Sequence, residues 1–134
     1  MKAKKNVIKL KTDNMSVFTV IGISSHENDY RLSWSINDYI GLAFSQNDSL
    51  VADSGKEFTL FVHEDSEKRL TIISNRCDNG FLLEKHKNLD FFLKFDALLS
   101  EAEISAWLHE LRKVPLVSTA YHIPVDKKVL QLLG

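Results

Sequence analysis

The chain has 134 residues and a mass of 15.3 kDa, enough for one hydrophobic core and too few for two ordinary domains. Hydrophobic residues at 44% and charged residues at 26% match ordinary globular usage and exclude a disordered, collagenous or coiled-coil chain. With 17 Lys and Arg against 18 Asp and Glu the net charge is -1, so no global field draws the protein to nucleic acid or an anionic membrane.

The basic start, residues 1–5, runs into Asn6-Val7-Ile8-Lys9-Leu10-Lys11, whose lysines interrupt the apolar run a secretory signal needs. Ile8 and Leu10 alternate with Lys9 and Lys11 and predict a short edge strand. Residues 17–23 are β-branched and apolar on both faces, predicting a buried central strand, with a helix as the alternative. Ser24-Ser25-His26-Glu27 has the form of a capping box and predicts a helix start. Leu32, Ile36, Tyr39 and Ile40 then recur at helical spacing, and Gly41 stands where a left-handed cap ends the element. Residues 42–44 read as a brief strand, and 45–56, rich in Ser, Gln, Asn, Asp and Gly without periodicity, as a mobile loop.

Residues 58–63 and 70–74 are β-prone runs joined by the polar 64–69, predicting an antiparallel hairpin. Cys77-Asp78-Asn79-Gly80 is turn chemistry, and a further strand covers 90–95. Ser100-Glu101-Ala102-Glu103 is a second capping box, followed by Ile104, Trp107, Leu108 and Leu111 at i, i+3, i+4 and i+7. Pro115 bounds that helix, and 116–123 reads as a strand ended by Pro124. A right-handed crossover makes the strands at 90–95 and 117–123 parallel, half of a ferredoxin-like pattern. Residues 126–133 suit either a short helix or a tail strand.

Five histidines stand at positions 26, 63, 86, 109 and 122, none at i, i+4 from another. His63 and His122 lie on predicted strands, where a meeting across the sheet with Glu64 or Cys77 would make a ligand set; satisfied or exposed strand histidines are the ordinary alternative. Cys77 with a distant histidine is the minimum for thiol catalysis, although most lone cysteines are inert. The chain lacks a glycine-rich phosphate loop and a G-x-S-x-G elbow. The expectation is therefore no catalytic residue, cofactor or metal. On the first helix, Trp34 is two positions from both Leu32 and Ile36 and points away from their stripe. Tyr30, Arg31, Trp34 and Asn37 form the candidate interaction surface, a helix covered on two sides by sheet and loop being the ordinary alternative. Lys85, His86, Lys87 and Lys94 read as a solvated basic edge rather than a nucleic-acid groove.

Ile21-Gly22-Ile23-Ser24-Ser25, Asp29-Tyr30-Arg31-Leu32, Asn37, Ile73-Ser74-Asn75 and Leu89-Asp90-Phe91-Phe92-Leu93-Lys94 carry a resemblance that spans most of the chain. By these residues it resembles the IPExxxVDY family of small bacterial proteins, known chiefly from Bacteroidetes. Leu83-Glu84-Lys85 stands where the family's motif has Ile-Pro-Glu, and Leu89-Asp90-Phe91 where it has Val-Asp-Tyr, so only the aspartate is identical. The resemblance implies a cytoplasmic bacterial protein with no assigned activity, and the single cysteine suits that reducing compartment.

The sequence thus predicts one α+β domain over 1–134: an antiparallel or mixed sheet of about five to seven strands, with two main helices on one face, partly ferredoxin-like. Its expected role is a non-enzymatic interaction or regulatory module, working as a homodimer through a sheet edge or the Trp34 helix face and serving an unknown protein partner. The alternative is a small-molecule sensor resembling ACT-type domains, from the strand, helix and strand over 90–123.

Overall fold

The computed structural model describes residues 18–78 and 80–134; the edge strand expected at 8–11 lies outside them. The continuous apolar run after Phe18 forms β1 (Thr19–Ser24), in which Val20, Ile21 and Ile23 have no exposed surface. Burial on both faces is what a strand without polar alternation requires.

A helix follows, but not from the first capping box. Ser24 stays in β1, paired with Thr119, and its hydroxyl donates to the Asn88 carbonyl (3.0 Å). The Ser25 hydroxyl accepts from the Glu27 amide (3.1 Å), and Asn28 is the true N-cap, accepting from Arg31 N–H at 2.9 Å. Helix α1 (Asp29–Ile36) therefore begins four residues later than expected, because the sheet has already claimed Ser24. It continues into a π-turn (Asn37–Gly41), closed by Leu42 N–H on the Asn37 carbonyl and ended by Gly41 at φ +88°.

Residues 42–44 are not a strand, and of the loop expected at 45–56 only 52–56 is one. Ser45–Val51 forms β2, an outer strand with mostly exposed side chains and a register irregularity between Asn47 and Leu50. Its polar composition hides it from pattern reading, since an edge strand exposed on both faces needs no apolar alternation. The expected hairpin is present as β3 (Glu57–Glu64) and β4 (Arg69–Ser74). A small second hairpin pairs β5 (Arg76–Cys77) with β6 (Gly80–Phe81). Then come β7 (Phe91–Phe95), α2 (Glu101–Leu111), β8 (Thr119–Ile123) and α3 (Lys127–Leu133). The second capping box is complete: Glu103 N–H donates to the Ser100 hydroxyl and Ser100 N–H to the Glu103 carboxylate. The chain's last segment, left between helix and strand by its sequence, is a helix capped by Asp126.

The main sheet has six strands in the order β2-β3-β4-β7-β1-β8, with every neighbouring pair antiparallel. β7 and β8 run in the same direction, as the crossover predicts, but β1 lies between them. This split β-α-β unit, with β1-α1 before it and β4 beside β7, has ferredoxin-like connectivity widened by the β2 and β3 strands. Leu32 and Ile36 of α1 and Leu111 of α2 pack with Ile21, Phe61, Ile72 and Leu93 on one face. The opposite face carries a second cluster, in which Val129 and Leu133 of α3 join Phe58, Ile73, Leu83, Leu89 and Phe92. The architecture is the expected α+β one, with two helices on one face and a third, short helix on the other.

Candidate interaction face

α1 owes its position to two anchors. At its start the Thr59 hydroxyl donates to the Asp29 carboxylate (2.5 Å), and the Tyr30 ring meets Phe61 edge-on at 6.2 Å. At its end the Asn37 amide donates to the Phe44 carbonyl (3.0 Å) and accepts the Phe44 N–H (2.7 Å). Between them Leu32 and Ile36 are wholly buried. The helix is a fixed platform, because β3 holds its start, the adjoining Phe44 holds its end and the core holds its inner stripe.

Its outer stripe is apolar and wet. Tyr30 is 67% exposed, Trp34 63% and Tyr39 46%, on a surface where rings of this size are normally covered. With Arg31, Ser35 and Asp38, and with Pro115 and Leu116 from the α2–β8 connection, they line a groove of about 410 Å³. Arg31 pairs along the helix with Glu27 (3.0 Å). Of the four residues singled out by sequence, Tyr30, Arg31 and Trp34 share this face, while the Asn37 side chain is turned to Phe44. Helical spacing puts Tyr39 on the buried stripe with Leu32 and Ile36, but it lies on the exposed face. The π-turn explains this, since each residue there advances less around the axis than in an α-helix. Asp38, Pro115 and Leu116 complete the groove without any sequence signal of their own.

The other candidate groups do not converge. His63 is on β3 and His122 on β8, four strand spacings apart, roughly 19 Å, so the proposed histidine pair does not form. His63 is buried with both nitrogens used: Nδ1 accepts from Ala43 N–H (3.0 Å) and Nε2 lies 3.0 Å from the Asp65 carboxylate. His122 is exposed, and Cys77 is half-buried in the small hairpin. Among the described residues no group of three or more His, Cys, Asp or Glu side chains is placed to hold a metal ion. The basic cluster is also divided. Lys85 pairs with Asp126 (3.1 Å), while Lys94 lies over the Phe18 ring (4.9 Å) and near Asp96 (3.7 Å).

Ser25, Asn75, Leu89 and Asp90 meet at one end of β1, β4 and β7. Asp90 accepts from Ser25 N–H (2.8 Å) and from Arg76 Nε (2.5 Å). Wholly buried Asn75 donates to the His86 and Leu89 carbonyls and accepts from Leu83 N–H. These bonds fold 82–90 back across the sheet. Beside them a cavity of about 470 Å³ lies between Phe58, Phe81, Leu83, Val129 and Leu132, rimmed by Lys56, Lys85 and Lys128.

Each edge of the sheet carries a feature that opposes strand addition. β2 carries polar side chains and the irregularity at Asn47 and Leu50, devices that discourage strand addition. On β8, Ala120 lies opposite Ile23, whose own carbonyl accepts Asp90 N–H on the β7 side (2.9 Å), so the Ala120 carbonyl faces outward. Arg112 occupies it with two bonds, 3.0 and 2.8 Å.

No protein-family model and no curated protein matches the chain. No helix among the described residues is long and apolar enough to cross a membrane.

Proposed function

We propose that this protein is a non-enzymatic interaction module that self-associates through the outer face of α1. The observation that carries the reading is the row of exposed rings, Tyr30, Trp34 and Tyr39, beside Arg31 on a helix held rigid at both ends. Trp, Tyr and Arg are the residues that dominate binding energy at protein interfaces, and a pre-ordered platform avoids the entropy of ordering on contact. The features that oppose strand addition at β2 and β8 favour this face. In this reading the chain is a cytoplasmic bacterial protein of the IPExxxVDY type, which rests on the sequence resemblance at Ile73-Ser74-Asn75 and Leu89–Lys94, and the dimer presents a surface to a further protein partner.

Hydrogen exchange at two concentrations tests it. Between about 1 and 100 μM, amides over 29–41 are expected to gain protection while those of β2 and β8 do not. Equal exchange at both concentrations, or protection confined to an edge strand, contradicts the proposal.

A second reading, a sensor resembling ACT-type domains, has support in the split β-α-β unit and the 470 Å³ apolar-walled cavity. Thermal stabilisation by an amino acid or nucleotide, lost in a variant at the half-buried cavity residue Leu132 (Leu132→Glu), is its expected outcome. No stabilisation across such a screen removes it.

A further inference from the structure

The groove-lining residues of α1 and the π-turn complement one another in charge about a common midpoint. Tyr30-Arg31-x-x-Trp34-Ser35-x-x-Asp38-Tyr39 is arranged about a midpoint between Trp34 and Ser35. Tyr30 mirrors Tyr39, Arg31 mirrors a residue of opposite charge, Asp38, and exposed Trp34 stands beside the midpoint next to buried Ser35. These six are the α1 and π-turn residues that line the groove. Arg31 is 64% exposed at its side chain and turned toward Glu27, and Asp38 is exposed and makes no ion pair among the described residues.

A two-fold contact requires each residue i to meet j while j meets i, so the same patch must complement itself. We infer that the occupant of the α1 face is a second copy of this chain, its α1 antiparallel to the first, with the two-fold axis passing between Trp34 and Ser35. This inference rests on the self-association proposed above and adds its partner and register. Arg31 then meets the partner's Asp38, and Asp38 the partner's Arg31, at opposite ends of the contact. Tyr30 meets the partner's Tyr39, and the two Trp34 rings lie at the axis, where desolvation is greatest. A parallel pairing of the same helices sets Arg31 near Arg31 and Asp38 near Asp38, and like charges oppose it. The antiparallel register makes both charge pairs attractive.

Charge exchange tests the register, with molar mass read by light scattering over a dilution series. In Arg31→Glu the introduced carboxylate faces the partner's Asp38, and in Asp38→Arg the introduced guanidinium faces the partner's Arg31. Each variant alone is expected to raise the dimer dissociation constant at least tenfold. An equimolar mixture restores dimer, because a heterodimer of the two has both charge pairs attractive again. Both positions are exposed, so unchanged far-ultraviolet dichroism and melting show that the variants fold. A wild-type chain that dimerises while either single variant dimerises equally well overturns the register but leaves self-association standing. Weakened single variants that do not recover on mixing also overturn it. A wild-type chain that is monomeric throughout overturns both.

Discussion

Gly22 sits in the middle of β1 with Leu89 lying against it. A Cβ there would collide with the buried Leu89 side chain and stand 3.1 Å from Ile123, so the position has no room for even a methyl. Gly22→Ala is expected to cost about 1–3 kcal/mol through overpacking, seen as a lower urea midpoint at unchanged slope. Asn75 is the second residue on which the fold closes. Asn75→Ala removes the side-chain partner of Leu83 N–H and of the Leu89 carbonyl, while the His86 carbonyl keeps Leu89 N–H, at about 1–3 kcal/mol for each buried group left unpaired. The same titration should show a larger loss than for Gly22→Ala; an equal or smaller one contradicts the hub role. Neither role is readable from sequence. A glycine amid Val and Ile suggests close approach but not by what, and Asn75 reads as a polar strand end until 83–89 folds onto it.

Two S-x-x-E boxes show how an element signal succeeds or fails. Ser100 follows an exposed segment and is free to cap, whereas Ser24 is still bonded within the sheet when its box begins. Ser100→Ala should therefore lower stability by about 1 kcal/mol, and Ser24→Ala should leave the helicity of α1 unchanged by circular dichroism. α3 has seven residues, too few to persist alone. It depends on burial of Val129 and Leu133 and on Asp126, whose carboxyl is held below its ordinary 3.8 by the Val129 N–H and then by Lys85. Asp65 is likewise depressed, by the Glu67 N–H first, then His63 and Lys68. A carboxyl with a lowered folded pKa contributes stability above its unfolded value, and that contribution disappears as pH falls through the folded one. The melting temperature should thus fall below about pH 4. Asp126→Asn keeps a capping oxygen but does not titrate, so its fall should be shallower; an unchanged acid slope would exclude Asp126 as a source. β2 was misread because its ladder bonds are backbone bonds, and its side chains report only solvent.

For the whole molecule, much of the architecture was readable: a central strand buried on both faces, the β3–β4 hairpin, the capped α2 and the β7-α2-β8 crossover. The insertion of β1 between β7 and β8 was not, because strand order depends on contacts between residues about 70 to 100 positions apart that leave no local periodicity. Trp34 was readable from its offset to Leu32 and Ile36, while the groove around it needed Pro115 and Leu116 to arrive from across the chain. The result is a sheet whose inner strands are covered on both faces, whose edges each carry a feature opposing strand addition, and beside which one helix presents rings to water. The most direct test is the mass of the wild-type chain beside that of Trp34→Ala, by light scattering at about 100 μM. Twice 15.3 kDa for the wild type and a single chain for the variant, both equally folded, is the predicted result. A wild-type mass of one chain, or a dimer indifferent to the loss of Trp34, would contradict it.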